Sequence, residues 1–283
     1  MQMHQHEFRV TRMCRVLQVS RSGFYGWQRR RPSARLLANQ QLIERMRVLH
    51  HQTREAYGAR KMWQRLNREG LVCGRHRVAR LRREAGLVTL RRRRHARTIR
   101  ARHLAGVEIP NRLNQQFAVS AKNRVWAADY TFIPTRTGWL YVAVVLDLYS
   151  RRIVGWAMSA RQTLTVVTEA WGMAWHHRRP APGLIHHSDQ GNQYRAGLYQ
   201  QQLARRGVVA SMSRKGNCYD NAPVESFFSS LKNELVHHRR FQHHAEARYA
   251  IAEYIEVFYN RQRLHQALGY RSPDEFERQE GGA

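Results

Sequence analysis

Three carboxylates occupy positions where an acid is costly unless something binds it. Asp129 lies in the middle of Val125-Trp-Ala-Ala-Asp-Tyr-Thr-Phe-Ile133, a run rich in β-branched and aromatic residues with no basic neighbour. Aspartate is disfavoured inside strands, so its charge calls for compensation. Asp189 follows Leu184-Ile-His-His187 and precedes Gln190-Gly-Asn192, the carboxyl end of a strand, where α/β folds place ligands. Glu225 follows Asp220-Asn-Ala-Pro-Val224, a helix start with an Asx cap and proline in the first turn. Hard carboxylate oxygens suit Mg2+ or Mn2+. On spacing alone, unrelated surface acids are an equal reading. Two rival acids suit structural roles: Asp147, beside Arg151 and Arg152, reads as an ion-pair partner, and Asp220 as the helix cap.

The helix expected after Pro223 carries Phe227, Phe228, Leu231 and Leu235 as a buried face. At ~100° per residue, Ser229 and Lys232 fall within about 40° of Glu225. One stripe therefore presents a metal ligand, a hydroxyl and an ammonium. Lys232 suits a DNA phosphate, although a lysine there could equally be a solvated surface residue.

The elements that must hold these residues follow from texture. Val125–Ile133 and Trp139–Leu146 flank a turn at Thr135–Gly138, and Ile153–Trp156 makes a third short strand, giving an antiparallel meander. A helix near 163–175, a strand at 184–187, a helix near 194–205 and a strand at 208–212 complete a β-β-β-α-β-α-β order. That order predicts an α/β domain, a ribonuclease-H-like mixed five-stranded sheet with flanking helices. Before it lies an all-α helix-turn-helix region. Residues 10–27 read as helix, a tight turn at Ser20-Arg-Ser-Gly23, and helix; residues 58–86 read as a second such unit, with Gly70 and Gly86 as helix C-caps. Its last helix carries Arg77, Arg80, Arg82 and Arg83 and is the expected major-groove helix, though the pattern also fits a generic helical hairpin. The expected domains are 1–36, a small helix-turn-helix-like segment; 37–90, helical and DNA-binding; 91–121, a basic linker containing Arg91–Arg94, Arg97, Arg100 and Arg102; 122–238, the catalytic core; and 239–283, a helical extension.

Composition names the partner. Across 283 residues, 49 Lys+Arg face 20 Asp+Glu, a net charge of +29, and 29 of the basic but only six of the acidic residues precede position 123. Most are arginines, whose planar fork pairs with phosphate and reads guanine edges. Double-stranded DNA is the expected partner, ahead of a membrane surface, because arginine surrounds much of each helix's circumference. No apolar run approaches a membrane span and the N-terminus lacks a signal core, so a cytoplasmic location is expected. Three cysteines without CxxC spacing predict free thiols.

Several motifs in order resemble a known family. Val125-Trp-Ala-Ala-Asp-Tyr-Thr131, His187-Ser-Asp-Gln-Gly-Asn-Gln-Tyr194, Ser211–Phe228 and Tyr254–Pro273 resemble the second-reading-frame transposase of the IS-three type of bacterial insertion sequences, whose core is similar to retroviral integrases. Thirty-five residues separate Asp189 from Glu225, the spacing of that family's acid triad, and Tyr57-Gly-Ala-Arg-Lys61 extends the likeness to the helical part. The resemblance implies that Asp129, Asp189 and Glu225 are catalytic and hold two Mg2+ or Mn2+ ions. Such a pair activates an attacking oxygen and stabilises the leaving one, so water as nucleophile nicks DNA and a 3′-hydroxyl joins it. Lys61, Arg77, Arg80, Arg83 and Lys232 are the expected DNA contacts. A homodimer or higher oligomer, and an upstream-frame partner or fusion, are also implied.

Overall fold

The computed structural model describes residues 1–89, 109–214 and 217–280, in two compact units, Met1–Val48 and Leu49–Ala283. The arginine-rich stretch at 91–102 lies outside the described residues. Among those described, no helix is long and apolar enough to cross a membrane.

In the first unit, helices α1 (Val10–Val16) and α2 (Arg21–Gln28) precede α3 (Ala34–Gln52), whose last residues from Leu49 belong to the second unit. The turn is shorter than expected. The Ser20 hydroxyl accepts the Gly23 N–H at 2.9 Å, and this cap converts Arg21-Ser-Gly23 into the first turn of α2.

The second unit opens with α4 (Ala59–Arg68) and α5 (Arg75–Glu84), packed through Met62, Leu66, Val78 and Leu81. Gly70 (φ 81°) and Gly86 (φ 65°) end the two helices in the left-handed conformation expected of them. Between the helices, the Trp63 indole N–H donates to the Cys73 carbonyl at 2.7 Å, and Asn67 accepts the Cys73 N–H at 3.2 Å. Cys14 and Cys73 are free thiols, as expected.

The core of this unit is a five-stranded mixed sheet, as the element order predicts. Strands β1 (Val125–Thr135), β2 (Gly138–Asp147) and β3 (Ile153–Ser159) form the antiparallel meander, while β4 (Ile185–Ser188) and β5 (Val209–Met212) run parallel to β1 in the order β3-β2-β1-β4-β5. One face is covered by α6 (Leu164–Arg178), and Gly155 makes this possible: a Cβ there would lie 2.2 Å from the Ala170 carbonyl oxygen. The expected helix near 194–205 is broken. Ala196 is extended (ψ 131°), leaving a single turn, α7 (Asn192–Arg195), and α8 (Gly197–Ala204), with the Gln200 amide donating to the Tyr194 carbonyl at 2.5 Å.

The other face is covered by α9 (Ala222–Glu234) and α10 (His244–Glu253), the latter continuing into a wider π turn at Tyr254–Tyr259. Asn260, just beyond, accepts the Ile153 N–H and donates to the Ile153 carbonyl, both at 3.0 Å, completing the edge of β3. The last helix, α11 (Pro273–Glu280), is held by ion pairs from Glu277 to Arg178 and from Asp274 to Arg152.

Candidate active site

Strand pairing accounts for the first two acids. Strands β1 and β4 are parallel and in register through Ala128 and Ser188. The next residue along each chain is Asp129 and Asp189, so two carboxylates leave neighbouring strands at the same level. Inward residues of β1 alternate between the two faces: Trp126 and Ala128 pack toward α6, Val125 and Ala127 toward α9. Asp129 therefore belongs to the α9 face.

Helix α9 is tied to that spot by its own start. Asn221 does not cap through its side chain; its amide donates instead to the Ala128 carbonyl at 3.2 Å, one residue before Asp129. Asp129, Glu225, Ser229 and Lys232 then line a single open cleft of about 500 Å3, with Thr131 between them. The stripe expected on α9 is thus the wall that faces Asp129. The Lys232 ammonium donates to the Thr131 hydroxyl at 2.6 Å and lies 5.5 Å from the centre of the exposed Phe132 ring.

The carboxyl groups here carry an electrostatic penalty. Burial pushes the Asp129 carboxyl well above the usual carboxylate range, and Asp189 and then Glu225 push it further; the Tyr130 N–H and the Lys232 charge oppose them. Asp189 is also raised by burial, against the Gly191 N–H, which donates to it at 2.9 Å. A Cβ on Gly191 would lie 2.9 Å from Asp189 Oδ1, so a larger residue here would have to displace this carboxylate. The donors are all carboxylate oxygens, the set that fits Mg2+ or Mn2+. Among the described residues, however, no three acidic, histidine or cysteine side chains close around one point tightly enough to enclose an ion, and Asp189 does not line the cleft that Asp129 and Glu225 share.

Both rival acids are structural, but not in the expected way. Asp147, fully buried, accepts backbone N–H groups of Asn123 (2.7 Å) and Tyr149 (2.9 Å) and the Trp126 indole N–H (3.3 Å), whereas Arg152 pairs with Asp274 and Glu277. Asp220 caps nothing. It takes the Arg214 backbone N–H and side chain, together with the amides of Asn111 and Gln115, and the Arg214 side-chain hydrogen bond is the main reason its carboxyl is held far below the ordinary range. Residues 111–115 are thereby fastened to the turn that leads into α9.

The expected DNA contacts divide. Arg83 is exposed on α5 and Arg77 and Arg80 are half-buried, Arg80 pairing with Glu84 at 2.7 Å. Arg82 is buried instead and donates to the Leu87 carbonyl at 2.8 Å, so it serves the fold; Arg75 and His76, which sequence reasoning missed, share the exposed face. Lys61 lies 5.2 Å from the centre of the Tyr57 ring, facing α9. Sequence reasoning also missed Arg263. Its guanidinium grips Glu234 of α9 with both Nε and Nη2 (2.8–3.1 Å) and donates to the Ser230 hydroxyl at 2.9 Å, while the Tyr254 hydroxyl completes Glu234 at 2.7 Å.

This arrangement has relatives. The integrase core domain family matches residues 119–218 and a second integrase core domain family matches 206–273, while an HTH-like domain family matches 38–95. Over 264 residues the chain is 47% identical to the insertion element IS600 uncharacterized 31 kDa protein of Shigella sonnei, covering 93% of this chain and 97% of that one. It is 41% identical over 277 residues to the transposase InsF for insertion sequence IS3A of Escherichia coli, covering 97% and 96%. The chain belongs to the IS3-type insertion-sequence transposases. Among solved structures, this IS3-type chain is similar to the HTLV-2 integrase catalytic core domain in complex with magnesium, in its trimeric form, at a TM-score of 0.42 and 14% identity over 55% of this chain and 96% of that one. Within the IS3-type core, the matched span 119–218 contains Asp129 and Asp189, and the span 206–273 contains Glu225 and Arg263.

Proposed function

We propose that this transposase cuts DNA strands and joins their 3′-hydroxyl ends to a target, with Asp129, Asp189 and Glu225 as its catalytic carboxylates. The observation that carries the reading is that Asp129 and Asp189 each follow the last paired residues of parallel strands β1 and β4, Ala128 and Ser188, while Glu225 lines a cleft with Asp129 from α9. These three would hold two Mg2+ or Mn2+ ions, which supply charge neutralisation at the reacting phosphate. Lys232, held by Thr131 at the same wall, binds a phosphate oxygen and fixes the strand. In cutting, a water oxygen bonds to phosphorus and the 3′-oxygen departs with a proton. In joining, the freed 3′-hydroxyl oxygen bonds to a target-strand phosphorus, the target's own 3′-oxygen departs with the proton, and no bond to the protein forms.

The helical residues 58–86 recognise double-stranded element ends, with Arg77, Arg80 and Arg83 on the DNA side. Because two ends are handled together, the working form is a dimer or larger assembly, and an upstream-frame partner can join it. The reading places the protein in the cytoplasm, with the bacterial DNA. The test is a strand-transfer assay with the element's ends, a target plasmid and Mg2+. Asp129→Asn, Asp189→Asn and Glu225→Gln are each expected to abolish joining while retaining DNA binding. Joining by any one variant removes that residue from the triad; binding without joining by the wild type leaves a DNA-binding regulator.

A further inference from the structure

The cleft at the acid cluster does not end at α9. A second cleft of about 430 Å3 begins on the same helix: Ser226 and Ser229 line both. Its far wall is the start of α4, contributing Arg60 and Lys61, and its floor includes Asn233 and Gln266. The charge here is positive. Arg60, Lys61 and Arg263 line the cleft against one acid among the described residues, Glu234, which Arg263 and Tyr254 already grip. Two aromatic faces hold the α4 cations at the rim, with Arg60 5.6 Å from the centre of the Tyr270 ring and Lys61 5.2 Å from that of Tyr57. Hydroxyls, amides and cations beside the cleft of Asp129 and Glu225 match a sugar–phosphate backbone, which is polyanionic and rich in acceptors.

We propose that this second cleft seats the DNA strand as it leaves the acid cluster, with Arg60 and Lys61 each neutralising a backbone phosphate. The proposal rests on the DNA-cutting reading above. It gives α4 a task beyond supporting the recognition helix: the first helix of the helix-turn-helix touches the same strand that the core cuts. Recognition and cutting then share one continuous track within residues 49–283.

The test uses the full chain and a fluorescein-labelled forked duplex of arbitrary sequence, titrated across a range of salt concentrations. The double variant Arg60→Gln/Lys61→Gln is expected to flatten the log–log salt slope by about 1.4 to 1.8, the loss of two phosphate contacts. The converse variant, Asn233→Lys, adds a cation at an α9 residue whose side-chain amide bonds within its own helix, and is expected to steepen the slope by roughly 0.7 to 0.9. Unchanged slopes in both overturn the proposal, even where the wild type joins ends normally in Mg2+. Opposite shifts in the two variants sustain it, and if the wild type then joins no ends, the catalytic reading falls and the cleft stands.

Discussion

Replacing Asp129 by asparagine should stabilise this protein in the absence of metal. Asp129 and Asp189 leave strands that run ~4.8 Å apart, and two unit charges about 5 Å apart repel by about 3 kcal/mol at an effective dielectric of ~20. Both residues are half-buried, so residual solvent and salt screening cut this to about 1.5 kcal/mol. The amide oxygen still accepts the Tyr130 N–H, so no hydrogen bond is lost. For a chain of this size, that corresponds to a melting temperature higher by about 3–6 °C. Because the Asp129 carboxyl is raised in the fold, its penalty is fully present above the folded pKa and vanishes as pH falls below the ordinary carboxylate value. The advantage of the variant should therefore shrink on acidification. Mg2+ at ~100 times its dissociation constant should reverse the order, stabilising the wild type by about 2.7 kcal/mol and the variant much less. Thermal unfolding in chelator and in excess Mg2+ measures both effects. A variant that melts at or below the wild type in chelator and responds equally to Mg2+ would refute the reasoning, because the two acids would then be neither strained nor metal-binding.

Other perturbations have equally definite outcomes. Arg263→Ala leaves the Glu234 carboxylate buried without its guanidinium and should cost about 3–5 kcal/mol in denaturant unfolding; a loss below about 1 kcal/mol would mean that the clamp on α9 is ornamental. Gly155→Ala forces a methyl against α6 and should cost about 1–3 kcal/mol or more, read as a lower melting temperature. His186 and His187 are buried and their pKa values are lowered to about 3 and about 4. The unfolded chain takes up these protons first, so as pH falls below about 6.5 each should remove roughly 1.4 kcal/mol of stability per pH unit, and His187→Gln should blunt the acid unfolding. Neutralising Arg77, Arg80 and Arg83 should weaken DNA binding and flatten its salt dependence, whereas Arg82→Gln should lower the melting temperature and spare that slope.

The sheet was legible because it depends on local pattern, whereas the grouping of Asp129, Asp189 and Glu225 rested on the family resemblance, since spacing alone allowed unrelated surface acids. Alternating β-branched runs mark β1 to β3, and an aspartate with no basic neighbour at Asp129 is conspicuous because strands disfavour it. The α9 stripe follows from helical periodicity alone. What was hidden depends on partners far along the chain. Nothing local distinguishes Arg263 from other arginines, yet it grips a glutamate 29 residues earlier. Asp220 precedes a helix and looks like a cap, but Arg214 and Asn111 claim it first. Arg82 carries the same charge as Arg83, and only the helix's rotation against α4 turns it inward. The break at Ala196 likewise has no marker beyond the following glycine, and the Tyr194 and Tyr199 rings that flank it meet edge to face.

The Tyr57 hydroxyl, at the threshold of α4, donates to the Gln262 carbonyl at 3.2 Å and accepts the Leu264 N–H at 2.8 Å. This seam fastens a residue just before α4 to a loop some two hundred residues further along the chain. It cannot form until Leu264 has left the ribosome and folded back. A chain that ended before residue 262 would hold α4, α5 and the three carboxylates without this stitch between them.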